Sequence, residues 1–388
     1  MKILYNWATG TGKSKKAIDH IKEITNNDIH KKILLVVAEV AHKKNWKEEF
    51  NKWELNPFIN ITIECYASLK KYINTNWDLI IFDEAHHLQS ENRIDIIATI
   101  KSNDIILLTA TIDKITLQNI EMIYGKFTIN KYSLNNAIKN NRLPEPKIFL
   151  IKLLLNNQNK TETYVVKFGQ KETIKTYQLN SFDEFWHFKK NKKQYNNCEF
   201  HIKCTEQEQY DYLTNEIKYW KNNYMIGRQE YQKNKWLRLE LDRKIILGNM
   251  KTKYVEIFLN KIKNKKRFIC FCSSIEQSMY FSSENSINSK KNDSLKIIDN
   301  FNNKKINSIF AVKMLQEGQN LVDIDYGIII QLDSKERLFI QKFGRTLRSI
   351  LPEQYIFYFE NTQDEKYMQN IINNIDAKYI FFREWKYK

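Results

Sequence analysis

The chain has 388 residues, of which 42% are hydrophobic and 28% charged, so it can form two ordinary domains with separate cores and is not an intrinsically disordered chain. A formal net charge of +17 favours a polyanionic partner, although the Lys-, Asn- and Ile-rich composition can also follow from biased codon usage. No apolar run approaches the ~18–20 residues that cross a bilayer, and the N-terminus lacks a signal peptide's apolar segment, so a cytoplasmic protein is expected, bacterial or in an infected host cell, with no membrane partner.

Residues 3–14, ILYNWATGTGKS, read as an apolar strand, a glycine turn and the start of a helix, which is the context of a phosphate-binding loop. Thr9, Gly10, Thr11 and Gly12 would turn backbone N–H groups onto phosphate oxygens, and the helix would aim its positive dipole end at the same place. Lys13 would reach the β and γ phosphates of ATP, and the Ser14 hydroxyl would ligate Mg2+. The full GxxxxGKS pattern places Gly where this chain has Trp7.

WDLIIFDEAHHL (77–88) reads as a strand buried on both faces that ends in acidic residues, the first of them, Asp83, 70 residues beyond Lys13. Asp83 is then the candidate for the same Mg2+. Glu84 is placed to orient and deprotonate an attacking water.

The pair ATGTGKS and DEAH resembles motifs I and II of the superfamily 2 helicases and translocases, and the later motifs follow in order. KKILLVVAEVAHKKNWKEEFNKW (31–53) is similar to motif Ia, with Glu39 where the family often has Pro, and NWKEEF resembles Swi/Snf-like and phage-type members. DIILLTATI (104–112) resembles motif III, RFICFCSSIEQS (267–278) motif IV, FAVKMLQEGQNL (310–321) motif V with Gly318, and QKFGRTLR (341–348) motif VI. Arg345 and Arg348, three apart, would share one helix face, and Gly344 would admit close backbone approach. Arginine's planar, permanently charged fork suits phosphate oxygens.

The resemblance implies two RecA-like, doubly wound parallel-sheet α/β domains with ATP and Mg2+ in the cleft between them. Lys13, Ser14, Asp83 and Glu84 would come from the first, and Gln341, Arg345 and Arg348 from the second. His86, Thr109 and Thr111 would couple hydrolysis to the nucleic-acid path. Many members carry an adenine-reading glutamine before motif I; only seven residues precede Ala8 here, so weaker discrimination of ATP from GTP is expected.

Alternating strands near 2–8, 32–38, 61–66, 78–83 and 105–109 outline a first domain over 1–130. A crossover linker with Pro144 and Pro146 is expected over 131–155. An inserted mixed β and helical segment follows over 156–260, and a second domain over 261–388 has strands near 267–272, 295–298, 306–312, 326–332 and 355–359. The stretch 287–303 also fits the turn and helix before motif V. The insertion mixes basic and aromatic residues in FDEFWHFKKNKKQYNN, YWKNNY and YQKNKWLR. Lys189, Lys190, Lys192 and Lys193 are its candidate nucleic-acid contacts.

Five cysteines without paired CxxC spacing suit a reducing compartment, and CEFHIKC (198–204) reads as an alternating strand in preference to a metal site. The expected activity is a nucleic-acid-dependent ATPase, with DNA favoured over RNA on the resemblance of NWKEEF and EGQNL to phage and restriction-type motors. The alternatives are an RNA helicase and a motor subunit of a replication, recombination or defence assembly with protein partners.

Overall fold

The computed structural model describes residues 1–26, 28–168, 173, 175–191, 197–263, 265–290, 293–312, 321–333, 344, 349, 351–373 and 375–385. The first sheet contains β1 (Lys2–Trp7), β2 (Ile33–Val37), β3 (Ile61–Cys65), β4 (Asn76–Asp83), β5 (Lys101–Thr109) and β6 (Thr128–Tyr132). Its order is β3-β2-β4-β5-β1-β6 and every pairing is parallel. Central strands such as ILLVV of β2 are wholly buried, because helices cover both faces of a parallel sheet. The covering helices are α1 (Lys13–Thr25), α2 (Val40–Lys52), α3 (Glu91–Ile97) and α4 (Lys114–Tyr124). In α1, Ala17, Ile18 and Ile21 line the face that packs on the sheet with Trp46 and Val37.

After β6, the short α5 (Leu134–Lys139) leads to β7 (Lys147–Leu153). Within the stretch expected to be a linker, β7 is a full member of the second sheet, paired in parallel with both of its neighbours. That sheet also holds β11 (Phe268–Cys272), β12 (Ser286–Ile287), β13 (Ser308–Val312), β14 (Tyr326–Ile329), β15 (Glu353–Phe359) and β16 (Ile380–Glu384), in the order β12-β13-β11-β14-β15-β7-β16. All its pairings are parallel. Apolar clusters lie on both faces, so each sheet is the doubly wound core of its own lobe.

The inserted segment forms a small mixed sheet in the order β8-β10-β9, from β8 (Glu162–Phe168), β9 (Lys175–Leu179) and β10 (Cys198–Cys204). The first pair is antiparallel and the second parallel, with α6 (Phe182–Asn191) packed on it through Phe185 and Phe188. Two long antiparallel helices follow, α7 (Glu206–Gly227) and α8 (Glu230–Met250). A Thr205–Glu208 capping box starts α7. The end of α8 and all of α9 (Thr252–Ile262) bury Leu247, Met250, Val255 and Leu259 against the second sheet.

One expected strand is not formed. Residues 295–298 lie in α11 (Ser294–Asn302), following α10 (Ile275–Phe281), and the second reading of 287–303 as turn and helix is the one adopted. Ile297, Ile298 and Phe301 pack from one helical face, which a strand would have split between two. The last helix, α12, spans Gln363–Ile372. No helix among the described residues is long and apolar enough to cross a membrane.

Candidate nucleotide-binding and catalytic site

β1 delivers the chain to the ATGTGKS turn at the carboxyl edge of the first sheet, where open α/β sheets place ligands. Gly10 and Gly12 have φ of 81° and 96°, values that a side chain disfavours, and Gly12 caps α1 without any side-chain hydrogen bond. The first amides of α1 are thereby left to the loop's concave side, the arrangement that favours a bound anion. The Thr11 hydroxyl donates to the Ala8 carbonyl at 2.7 Å and pins the turn. Lys13 folds back across it, with Nζ donating to the carbonyls of Trp7 (3.0 Å) and Ala8 (3.3 Å). Burial pushes the Lys13 pKa down, while Glu84 and Asp83 oppose that shift, so both carboxylates act on the lysine charge.

Asp83 ends β4 and Glu84 follows with φ of 51°, a left-handed conformation that turns its carboxylate out of the strand direction. Asp83 Oδ2 accepts from Trp46 Nε1 at 2.8 Å, Oδ1 accepts from the Glu84 amide at 3.1 Å, and the Tyr66 hydroxyl donates to the Asp83 carbonyl at 2.9 Å. Burial first, and the adjoining Glu84 charge second, raise the Asp83 pKa. A hard divalent cation would offset both effects, and the oxygen donors of Asp83 and Ser14 are of the type Mg2+ takes. The residues present therefore fit the ion.

From Glu84 a buried polar chain runs to the end of β5. Glu84 Oε2 lies 3.4 Å from His86 Nδ1, which lies 3.2 Å from Thr109 Oγ1, and that hydroxyl donates to the Thr111 carbonyl at 2.7 Å. His86 is 3% exposed and Thr109 fully buried, so the chain is shielded from solvent competition.

The second lobe meets the loop directly. Ala8 belongs to the apolar cluster of Leu134, Ile138 and Leu143, which continues to Ile269 and Ile356 of the second sheet. Gly344 lies so close to the loop that a Cβ on it would come within 2.8 Å of the Thr9 Cβ. Gly344 is the described residue of QKFGRTLR; Gln341, Arg345 and Arg348, with Gly318, lie outside the described residues. So do Lys192 and Lys193. Lys190 is exposed in α6, whose backbone also includes Lys189.

Sequence reasoning missed Trp46 and Tyr66. Trp46 stands inside NWKEEF, yet only the packing of α2 on the first sheet shows that its indole N–H reaches Asp83. Among the described residues no three or more His, Cys, Asp or Glu side chains converge as a metal cluster, and in CEFHIKC His201 Nε2 meets Glu199 at 2.9 Å.

Residues 1–114 match the family model of the type III restriction enzyme res subunit, and residues 244–349 match the helicase conserved C-terminal domain. No curated protein matches the chain by sequence. The fold is similar to that of the Pyrococcus furiosus Hef helicase domain, at 14% identity and a TM-score of 0.51, covering 95% of this chain and 94% of that one. It is also similar to S. cerevisiae Dbp5 bound to RNA and ADP BeF3, at 8% identity and a TM-score of 0.56, covering 99% and 86%. With the res-subunit match on the first parallel-sheet lobe and the helicase C-terminal match on the second, the chain belongs to the superfamily 2 helicases.

Proposed function

We propose that the chain is a nucleic-acid-dependent ATPase that translocates on or remodels DNA. The observation that carries this reading is the polar chain from Glu84 through His86 to Thr109 and Thr111, which links the candidate catalytic carboxylate to the end of β5. Such a linkage has a use where hydrolysis is read out elsewhere in the molecule.

In this mechanism Lys13 leaves the carbonyls of Trp7 and Ala8 for the β and γ phosphates, and the first amides of α1 hold the remaining phosphate oxygens. Thr9, Gly10, Thr11 and Gly12 shape that cradle. Ser14 and Asp83 hold Mg2+, which when bound neutralises charge on the triphosphate. Glu84 orients the attacking water and takes its proton. Gln341, Arg345, Arg348 and Gly318 enter by their resemblance to motifs V and VI, the arginines stabilising charge that develops on the γ-phosphate. The contact between Thr9 and Gly344 supports a site completed by both lobes. Each cycle shifts their relative affinity for the polymer, which is what converts turnover into movement.

The preference for DNA rests on NWKEEF, EGQNL and the restriction-enzyme family match over 1–114. RNA is retained as an assay arm because the Dbp5 structure holds RNA. The test is steady-state ATP hydrolysis with no polymer, single-stranded, duplex and forked DNA, and RNA, with Glu84→Gln as control. DNA-stimulated turnover that the variant lacks is the expected result. Stimulation by RNA alone reassigns the track, and no stimulation by any polymer overturns the isolated-motor reading.

A further inference from the structure

The antiparallel pair α7 and α8 is divided along its length by charge. At its root, Arg243 donates to Thr214 Oγ1 (3.0 Å) and Gln363 Oε1 (3.1 Å), Lys244 pairs with Asp333, and the Gln363 amide donates to the Tyr210 hydroxyl (2.9 Å). The root is thus tied to the second lobe, and its other ionisable residues, such as Asp211, Glu216, Glu240 and Asp242, are acidic. Farther out the sign reverses. Lys218, Lys221, Arg228, Lys233, Lys235 and Arg238 are all exposed, Glu230 is the single acid among them, and none of the six makes an ion pair within the described residues.

A lysine run alone is usually a solvated surface, so the placement of the rings matters. Leu213, Ile217 and Leu239 form the buried seam, extended by Trp220 and Trp236, with Tyr224 and Lys221 against Trp236. These aromatic residues are used up in packing. Tyr219 and Tyr231 meet Trp220 edge to face, at 5.4 and 6.3 Å between ring centroids, yet stay 58% and 61% exposed, and Ile226 at the connecting turn is 86% exposed. A 22-residue helix is about 33 Å long, so the basic half reaches roughly 15 Å past the packed root. The outer half therefore presents cations interleaved with largely exposed tyrosine rings, the combination that grips a phosphate backbone and stacks bases.

We propose that the outer half of the α7/α8 arm is a nucleic-acid contact, in which the six basic side chains hold phosphates and Tyr219 and Tyr231 stack on unpaired bases. The acidic root repels the same polymer and confines the contact to the outer half. The proposal rests on the motor reading above, because the polymer gripped is the motor's track.

The experiment measures binding of labelled single-stranded and duplex DNA and RNA to the full chain across a salt series. One variant has all six basic residues replaced by Gln, and a second is Tyr219→Ala with Tyr231→Ala; melting temperatures verify folding. The six-fold variant is expected to bind at least ten-fold more weakly at about 0.1 M salt. The slope of log affinity against log salt should fall by about 3 or more, since each lost phosphate contact removes ~0.7–0.9. ATP turnover without polymer should be unchanged. The tyrosine variant should lose more affinity for single strands than for duplex. Affinity and slope unchanged in the six-fold variant overturn the arm contact while leaving the motor reading intact. A wild-type chain that binds no polymer overturns both.

Discussion

Gly344 of the second lobe stands against Thr9 of the phosphate loop with no room for a methyl group between them. Replacing it by Ala places a Cβ within 2.8 Å of the Thr9 Cβ, so the lobes must separate or the loop must deform. Gly344 makes none of the hydrogen bonds that hold the loop's turn, such as Thr11 to Ala8 and Lys13 to Trp7, so separation of the lobes is the expected outcome. Gly344→Ala is therefore expected to lower the turnover number at least ten-fold, about 1.4 kcal/mol of barrier, with nucleotide affinity within about three-fold of wild type. Turnover measured beside a fluorescent-nucleotide titration separates the two effects.

The Thr109 hydroxyl is the joint between His86 and Thr111. Thr109→Val keeps the shape and removes the joint, leaving a buried imidazole short of one partner at a cost of about 1–3 kcal/mol. Polymer-stimulated ATPase is expected to fall at least ten-fold while the unstimulated rate stays within about three-fold. A rate lost equally with and without polymer would show the threonine acting on chemistry alone.

Lys251 is fully buried where α8 meets α9, with Nζ 2.6 Å from Asp364 Oδ2 and 2.6 Å from the Ile330 carbonyl. Lys251→Ala strands a buried carboxylate and should destabilise the second lobe by about 3–5 kcal/mol. Lys251→Met combined with Asp364→Leu removes both charges and should recover most of that loss. Denaturant midpoints of the two variants give the comparison.

Glu64 accepts from Lys43 Nζ at 2.6 Å and from the Cys65 amide at 2.9 Å, with Lys71 at 3.5 Å. The Lys43 hydrogen bond is the main cause that lowers its pKa from 4.5 to about 2. Because the folded value lies below the unfolded one, its stabilisation is complete above about pH 4.5 and disappears as pH falls through about 2. Both lysines are partly exposed and solvent-screened, so Glu64→Gln should cost about 1 kcal/mol at pH 7 and almost nothing near pH 2. Melting of the two proteins at several pH values reads the difference.

The parts of this molecule legible in its sequence are those with local signals. The turn ATGTGKS and the apolar run before DEAH announce themselves, because buried parallel strands and glycine turns depend on near neighbours. β6 was missed because TINKY is an edge strand with four exposed residues and carries no apolar pattern. In sequence β7 reads as part of a connection, although it is apolar, because its place depends on β15 and β16 far along the chain. The Trp46–Asp83 hydrogen bond and the Gly344–Thr9 approach were hidden for the same reason: each joins elements whose proximity only the fold creates. In YWKNNY and YQKNKWLR the sequence showed aromatic and basic residues together, but only packing separates the seam residues Trp220 and Trp236 from the outward Tyr219 and Tyr231.

The place of β7 also bears on how the protein is made. Lys147 pairs with Glu353, so a strand paired on both sides in the second sheet leaves the ribosome about 200 residues before its neighbour β15. At ~5–20 residues per second that interval is about 10–40 s, during which KIFLIKL has no sheet to join. The first lobe closes on the strands of 1–132 well before then. Synthesis therefore passes through a state with one finished lobe and one apolar strand held open, which is the stage at which a chaperone or an aggregating neighbour has its access.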